Sequence, residues 1–451
     1  MDVTEQFCRI LAAMTAESIP SAALEAARAI LLDGVAVTLA GSREPAAAII
    51  AEHIRSFGGT EQATVFNFGF KTSSVSAAYL NGALMHVLDY EPMWNPPTHA
   101  VSTTLPVALA LGEGQAAPGI EILIALIKGI EAHVRLRAAS GQFEPRGLTF
   151  HPPGVAGPLG SAVAAAHLLH LGPEQLPNAL GIAASRAGSL MANIGTMAKY
   201  THCGNAAAAG LDAALLAARE LQANPCIVEA SNGLADAFFN EDWDRQALTE
   251  QDAPLRILEP GYAIKLFPCQ YATHFVILTA LEARRQIAQP ETIASVEVIG
   301  PLMPYIDRSQ PSSGLDAKFS FQYAAAAALL DGAVGIETFS DERCVRSDMR
   351  TMLPKVTFVQ SPAIPATLDR MWVEVNVRLA DGSQLSARGV RPPGAWGSPI
   401  SEQEHLRKVR DCLTRVLSED ATDAVVVSLR EFDRLGSDGV RHLMRTLGGT
   451  H

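Results

Sequence analysis

Between Ser21 and about Ala237 the chain repeats one pattern: Ala- and Leu-rich stretches with apolar residues three and four apart, broken by Gly, Pro and polar turns. AALEAARAILLDGVAVTLAG, EILIALIKGIEAHVRLRAA, GPLGSAVAAAHLLHLG and GNAAAAGLDAALLAARELQ all follow it. Several are apolar nearly all the way round, so each must lie buried among other helices rather than on a surface. That requirement restricts the first half of the chain to a large helical domain, close-packed through its many small residues. Leu171-Gly172-Pro173-Glu174 punctuates it, one helix stopped by Gly and the next begun just after Pro.

The pattern changes near Pro268. One more helix, at about 271–286, precedes strand-like stretches at 294–300, 355–359 and 371–389. In the last, Met371, Val373, Val375, Val377 and Leu379 alternate with Trp372, Glu374, Asn376 and Arg378, and Asp381-Gly382 is a hairpin turn. With the apolar helix FSFQYAAAAALLDG, these make an α+β unit that the linker RPPGAWGSP closes. The amphipathic segments after it, EQEHLRKVRDCLTRVL and GVRHLMRTL, are expected to return to the first domain. A chain of 451 residues exceeds what one core usually supports. The expected fold is therefore mostly α: residues 1–267 with 400–451 as an all-helical domain, and 268–399 as a smaller α+β domain.

With 35 basic against 47 acidic residues and no basic run, nucleic acid is not an expected partner. The N-terminus lacks the parts of a signal peptide, and no stretch approaches the roughly 18 apolar residues of a membrane span. A cytoplasmic protein with no membrane partner is expected. The six cysteines show neither a CxxC pair nor zinc spacing and read as reduced, mostly buried thiols.

In so apolar a chain the informative residues are the polar ones gathered with Gly and Pro at helix ends. They form islands: HVLDYEPMWNPPTH with His86, Asp89 and His99; GLTFHPPGVAGPLG with His151; GTMAKYTHCGNAA with Lys199 and His202; IKLFPCQYATH with Lys265 and His274; and PYIDRSQPSSGLDAKFSFQY with Tyr305, Arg308 and Lys318. Each has an ordinary structural explanation. His86 lies three residues before Asp89, the spacing of a helix pair; Lys265 reads equally as surface, Lys318 as a snorkelling chain, and Arg308 as an ion pair on a domain surface. No HExxH or other ligand spacing occurs, so no metal is expected.

In this order the islands resemble the MmgE/PrpD family, which includes 2-methylcitrate dehydratase, cis-aconitate decarboxylase and iminodisuccinate epimerase. The resemblance runs over nearly the whole chain, through LLDGVAVTLAG, NGALMHVLDYE, FHPPGVAGPLGSAVAAA, the Lys199 segment, KLFPCQYATH, and YIDR followed by AKFSFQY. It implies a large helical domain made from both ends of the chain, an inserted α+β lid, a homodimer, and catalysis without metal or organic cofactor. Carried over residue by residue, decarboxylase-like pocket positions fall on Asp89, His99, His151, Lys199, His274 and Tyr305. Two departures stand out: Glu91-Pro92 replaces the usual Asp-Asp, and Met93 stands where Thr often follows.

The substrates that the resemblance implies are small di- and tricarboxylates, and the shared step moves a proton at a carbon beside a carboxylate. Cations must meet the charge that develops there. Lys199, Lys265 and Arg308 are candidates, with Lys318, His202 and Tyr305 as further binding residues. His99 or His151 can act as acid or base, with Asp89 orienting an imidazole, and His274 is a further catalytic position on the lid. The leading expectation is a hydro-lyase acting on a 2-hydroxy di- or tricarboxylate such as 2-methylcitrate. The alternatives are a cis-aconitate-type decarboxylase, an isomerase or epimerase, and a carboxylate-binding protein without turnover.

Overall fold

A computed structural model describes residues 2–143 and 148–449. The first half is built from α1 (Val3–Ala13), α2 (Ser21–Gly41), α3 (Pro45–Phe57), α4 (Ser74–His86), α5 (Ala100–Gly114), α6 (Gly119–Ala139), α7 (Pro152–Leu168), α8 (Leu176–Ala184) and α9 (Ala198–Ala217). Helices α5, α6 and α7 are buried over nearly their whole length, α5 and α7 through their apolar character and α6 with its charged residues Glu131 and Arg135 paired to each other. Small residues set how closely the helices approach. A Cβ on Gly204 of α9 would lie 2.4 Å from the Tyr79 carbonyl oxygen of α4, and one on Gly82 of α4 would lie 3.2 Å from the Gly204 Cα. Only glycine at this crossing lets α9 carry its first turn against the end of α4.

The large domain is not wholly helical. Ala63–Thr64 (β1) and Lys71–Thr72 (β2) form a short antiparallel ribbon. Its polar groups find buried partners: Glu113 accepts from Thr64 N at 2.7 Å and from Lys71 Nζ at 2.6 Å, and Asn81 Nδ2 donates to Thr64 O at 3.0 Å. These long-range partners, which helical periodicity does not register, hold the ribbon in place.

The second core gathers around a sheet of β3 (Ile293–Gly300), β4 (Val356–Gln360), β5 (Val373–Leu379) and β6 (Gln384–Gly389), in the order β4-β3-β5-β6. β3 and β4 are parallel, and their crossover carries the helix Phe321–Asp331; the other pairs are antiparallel. Val296, Val298, Val373, Val375 and Val377 face that helix and Tyr271–Arg284 across the buried core. Gly382, with φ +88°, makes the expected hairpin turn.

The helices Glu402–Leu413, Glu419–Arg430 and Ser437–Gly448 place Val409, Leu413, Leu429, Leu443 and Leu447 in the first core, not the second. Lys408 fixes the return. It donates to Asp33 of α2 at 2.9 Å and to the Tyr90 carbonyl at 2.8 Å. The 391–399 segment is docked rather than free: Ile264 N donates to Gly394 O at 2.9 Å and Trp396 is buried. Among the described residues no helix is long and apolar enough to cross a membrane.

Candidate active site

The site begins where α4 ends. After His86 the chain turns through Asp89, whose φ of +53° stops the helix; Asp is among the few residues that visit this left-handed region. Met93 then pairs antiparallel with Ala263, each backbone N–H donating to the other's carbonyl, and His99 opens α5. The polar knot is thus clamped between α4, α5 and the segment leading to Lys265.

Asp89 is buried and serves two ammonium groups. Lys199, on the first turn of α9, donates to Oδ2 at 2.9 Å. Lys265 donates to Oδ1, to the Asp89 carbonyl at 2.8 Å and to the Cys269 carbonyl at 3.1 Å. Burial works to raise the Asp89 carboxyl, but Lys199 and Lys265 outweigh it and hold it well below the usual carboxylate range. The three groups carry one net positive charge.

Beside this triad stands a group of imidazoles. His86 packs edge-on against His99 with centroids 4.5 Å apart; His99 and His151 lie 6.0 Å apart, and His151 Nδ1 is 3.2 Å from His202 Nδ1. Burial and Lys199 push His86 down to about 3 and His202 to about 4, and hold His151 well below the ordinary imidazole value, so these rings are neutral. Glu91, fully buried, accepts from His86 Nδ1 and Ser102 Oγ, each at 2.6 Å. His99 Nδ1 lies 2.9 Å from the same Glu91 oxygen, off the hydrogen-bond line, and its Nε2 is 3.9 Å from Asp89 Oδ1.

Asp89, His99, His151, Lys199, Lys265 and Tyr305 all line one cavity of about 300 Å³ between the two domains. His274, Arg308, Lys318 and His202 do not line it. His274 stacks on Tyr271, which does line it, with ring centroids 4.8 Å apart; burial, then Lys265, keeps it neutral. Arg308 pairs with Asp316 and donates to the Tyr305 carbonyl. Lys318 is buried against the Val87 and Leu88 carbonyls, where a cation satisfies the end of α4. His202 stands against His151, behind the wall. The structure thus places these four expected site residues behind or beside the cavity wall rather than on it.

The cavity also includes residues that sequence reasoning passed over: Arg137, Gln270, Tyr271, Met303 and the 366–370 segment with Thr367 and Arg370. Arg137 carried no distinguishing signal, being one of several ionisable residues on α6, among them Lys128, Glu131, His133 and Arg135. Gln270 caps the Tyr271–Arg284 helix and donates to the Tyr305 hydroxyl at 3.1 Å. Trp94 is fully buried and donates to the Arg256 carbonyl, while Met93, Asn95, Pro96 and Pro97 on either side of it line the cavity.

His86, His99 and His151 hold ring nitrogens within 4.8 Å of one another, as do the donor atoms of Asp89, Glu91 and His99. Asp89 is already committed to two lysines, and the charge of Lys199 reaches both His86 and His151, opposing a dication among them. The donor set fits proton transfer better than metal ligation.

The N-terminal domain of the MmgE/PrpD family matches residues 5–246, and its C-terminal domain matches residues 267–431. The chain belongs to the MmgE/PrpD family. It is 30% identical to the cis-aconitate decarboxylase of Mus musculus, with 99% of this chain and 93% of that protein covered. It is 28% identical to the Homo sapiens cis-aconitate decarboxylase, over 96% of this chain and 92% of that protein. The cis-aconitate decarboxylase of Aspergillus terreus is 26% identical, over 96% and 94%. In this MmgE/PrpD chain Met93 and Glu91, the two departures noted in the sequence, take separate places: Met93 on the cavity wall, Glu91 buried behind His99.

Proposed function

We propose that the protein decarboxylates cis-aconitate or a close unsaturated tricarboxylate, as a homodimer and without metal or organic cofactor. The observation that carries this reading is the Lys199–Asp89–Lys265 triad opening on the same cavity as His99 and His151. Similarity to decarboxylases over nearly the full chain favours this alternative over the 2-methylcitrate hydro-lyase expected from the family at large.

In cis-aconitate a carboxylate sits on a methylene next to the carbon–carbon double bond. Breaking its C–C bond releases carbon dioxide and leaves the electron pair on the methylene carbon. The pair shifts through the double bond to the far carbon, which itself bears a carboxylate, and one proton there completes a methylene-bearing dicarboxylate. The site must hold the remaining carboxylates and deliver that proton. Lys199, Lys265 and Arg137 supply cations, and Lys265 is held by both the side chain and the carbonyl of Asp89. His99 or His151 delivers the proton.

The test is proton NMR of the purified protein in heavy water with cis-aconitate, citrate and 2-methylcitrate. The expected result is a terminal methylene signal from cis-aconitate, with one deuterium incorporated at the saturated carbon. Consumption of 2-methylcitrate to an olefinic product, with cis-aconitate untouched, would replace this reading with the hydro-lyase.

A further inference from the structure

We propose that Glu91 is a positioning residue that fixes the His99 ring with Nε2 toward the cavity and stabilises its imidazolium, making His99 rather than His151 the proton donor. The inference rests on the decarboxylase reading only for the carbon that receives the proton.

Glu91 does not line the cavity and is fully buried, so any effect on substrate must pass through a neighbour. Three groups surround its Oε1: His86 Nδ1 and Ser102 Oγ, each at 2.6 Å, and His99 Nδ1 at 2.9 Å. Its Oε2 has no hydrogen-bond partner among the described residues. Ser102 is neutral and His86 is sealed inside the protein, so both serve Glu91 as neutral donors. A buried carboxylate with only neutral donors keeps its charge uncompensated, which is costly. Of its neighbours, only His99 is both an ionisable ring and open on the cavity.

The groups facing His99 support the same reading. They are His86 from α4, Asp89 and Glu91 from the loop, His133 from α6, His151 ahead of α7, Lys199 from α9 and Lys265 from the lid side. Asp89 has its charge drawn to Lys199 on one oxygen and Lys265 on the other, which leaves Glu91 as the carboxylate available to His99. The edge-on His86 ring packs against His99 with centroids 4.5 Å apart, on the side of Glu91. His151, by contrast, has Nδ1 against His202 and no carboxylate within the contacts described for it. In the reaction, His99 Nε2–H passes its proton to the carbon that bears the shifted electron pair, and the ring regains a proton from water.

The experiment uses the full chain labelled with [13Cε1]-histidine, with the His99 signal assigned by its loss in His99→Gln. The His99 titration midpoint and kcat on cis-aconitate are then compared in wild type and Glu91→Gln. The expected result is a midpoint lowered by about one pH unit or more and a kcat lowered about a hundredfold. Binding of the saturated analogue tricarballylate should stay within about threefold. If the midpoint does not move, the Glu91 assignment is overturned whatever the substrate. If it falls while wild type leaves cis-aconitate untouched, the decarboxylase reading fails and the Glu91–His99 pair stands. Should Glu91→Gln not fold, Glu91→Asp keeps the charge but withdraws it by one methylene; an unchanged midpoint and kcat in that variant would overturn the proposal equally.

Discussion

Replacing Asp89 with Asn should destabilise the protein and make its stability depend on added anions. Lys199 is 2% exposed and Asp89 is the carboxylate it pairs with; Lys265 is 1% exposed and keeps the Asp89 and Cys269 carbonyls. Removing one partner of a buried ion pair costs about 3–5 kcal/mol. For domains of this size that is a fall in melting temperature of roughly 6–10 °C, at about 2 °C per kcal/mol. The sign with pH follows from the depressed Asp89 pKa. The stabilisation is fully present above the unfolded carboxyl value, near 4, and is lost only as pH falls through the lower folded value. The gap between wild type and Asp89→Asn should therefore be widest near neutrality and close in acid. In the variant the two ammonium groups face the cavity without their carboxylate, so tricarballylate should raise its melting temperature more than that of wild type. Scanning calorimetry of both proteins at pH 7 and pH 3, with and without tricarballylate, checks each part. A variant that melts within about 1 °C of wild type at pH 7 would refute the view that Asp89 neutralises two buried lysines.

His99→Ala and Lys199→Ala should each abolish turnover of cis-aconitate while leaving the protein folded, as read by the NMR assay and circular dichroism; wild-type rates in either would remove the site assignment. His274→Phe should keep kcat within about tenfold of wild type, since a ring stacked on Tyr271 acts through packing; a loss as large as that of His99→Ala would return His274 to the chemistry. His86 and His133, both fully buried with pKa values near 3, stay neutral in the fold but take up protons when unfolded below about pH 6.5. Stability should thus fall from pH 6.5 toward 4.5, and urea titrations of His133→Gln should show about one proton less in the slope. Gly204→Ala should cost about 1–3 kcal/mol by overpacking and lower kcat as well, because the α4–α9 approach that brings Lys199 to Asp89 would widen; urea melts and rates measured together check this.

The sequence by itself determined the elements. The all-round apolar stretches became α2 and α4 to α9 because periodicity and burial are local properties of a helix. The alternation at 371–389 became the β5–β6 hairpin because Asp381-Gly382 supplies the turn. Ordered polar islands were enough to mark Asp89, His99, His151, Lys199 and Lys265, all of which line the cavity. What the tertiary structure alone decided is which way those side chains face and what they touch. Lys199 and Lys265 reach Asp89 across 110 and 176 residues of chain, a meeting set by the glycine crossing of α4 and α9 and by the Ala263 segment docked on Met93. The same long-range packing turned His274, Arg308, Lys318 and His202 away from the cavity and brought in Arg137, Gln270 and Thr367. Glu91 looked like a departure from a motif, and only the fold put its carboxylate between His86, Ser102 and His99. Spacing along a chain fixes which face of a helix a residue occupies; the partner on that face is fixed by the approach of other elements, which no local pattern encodes.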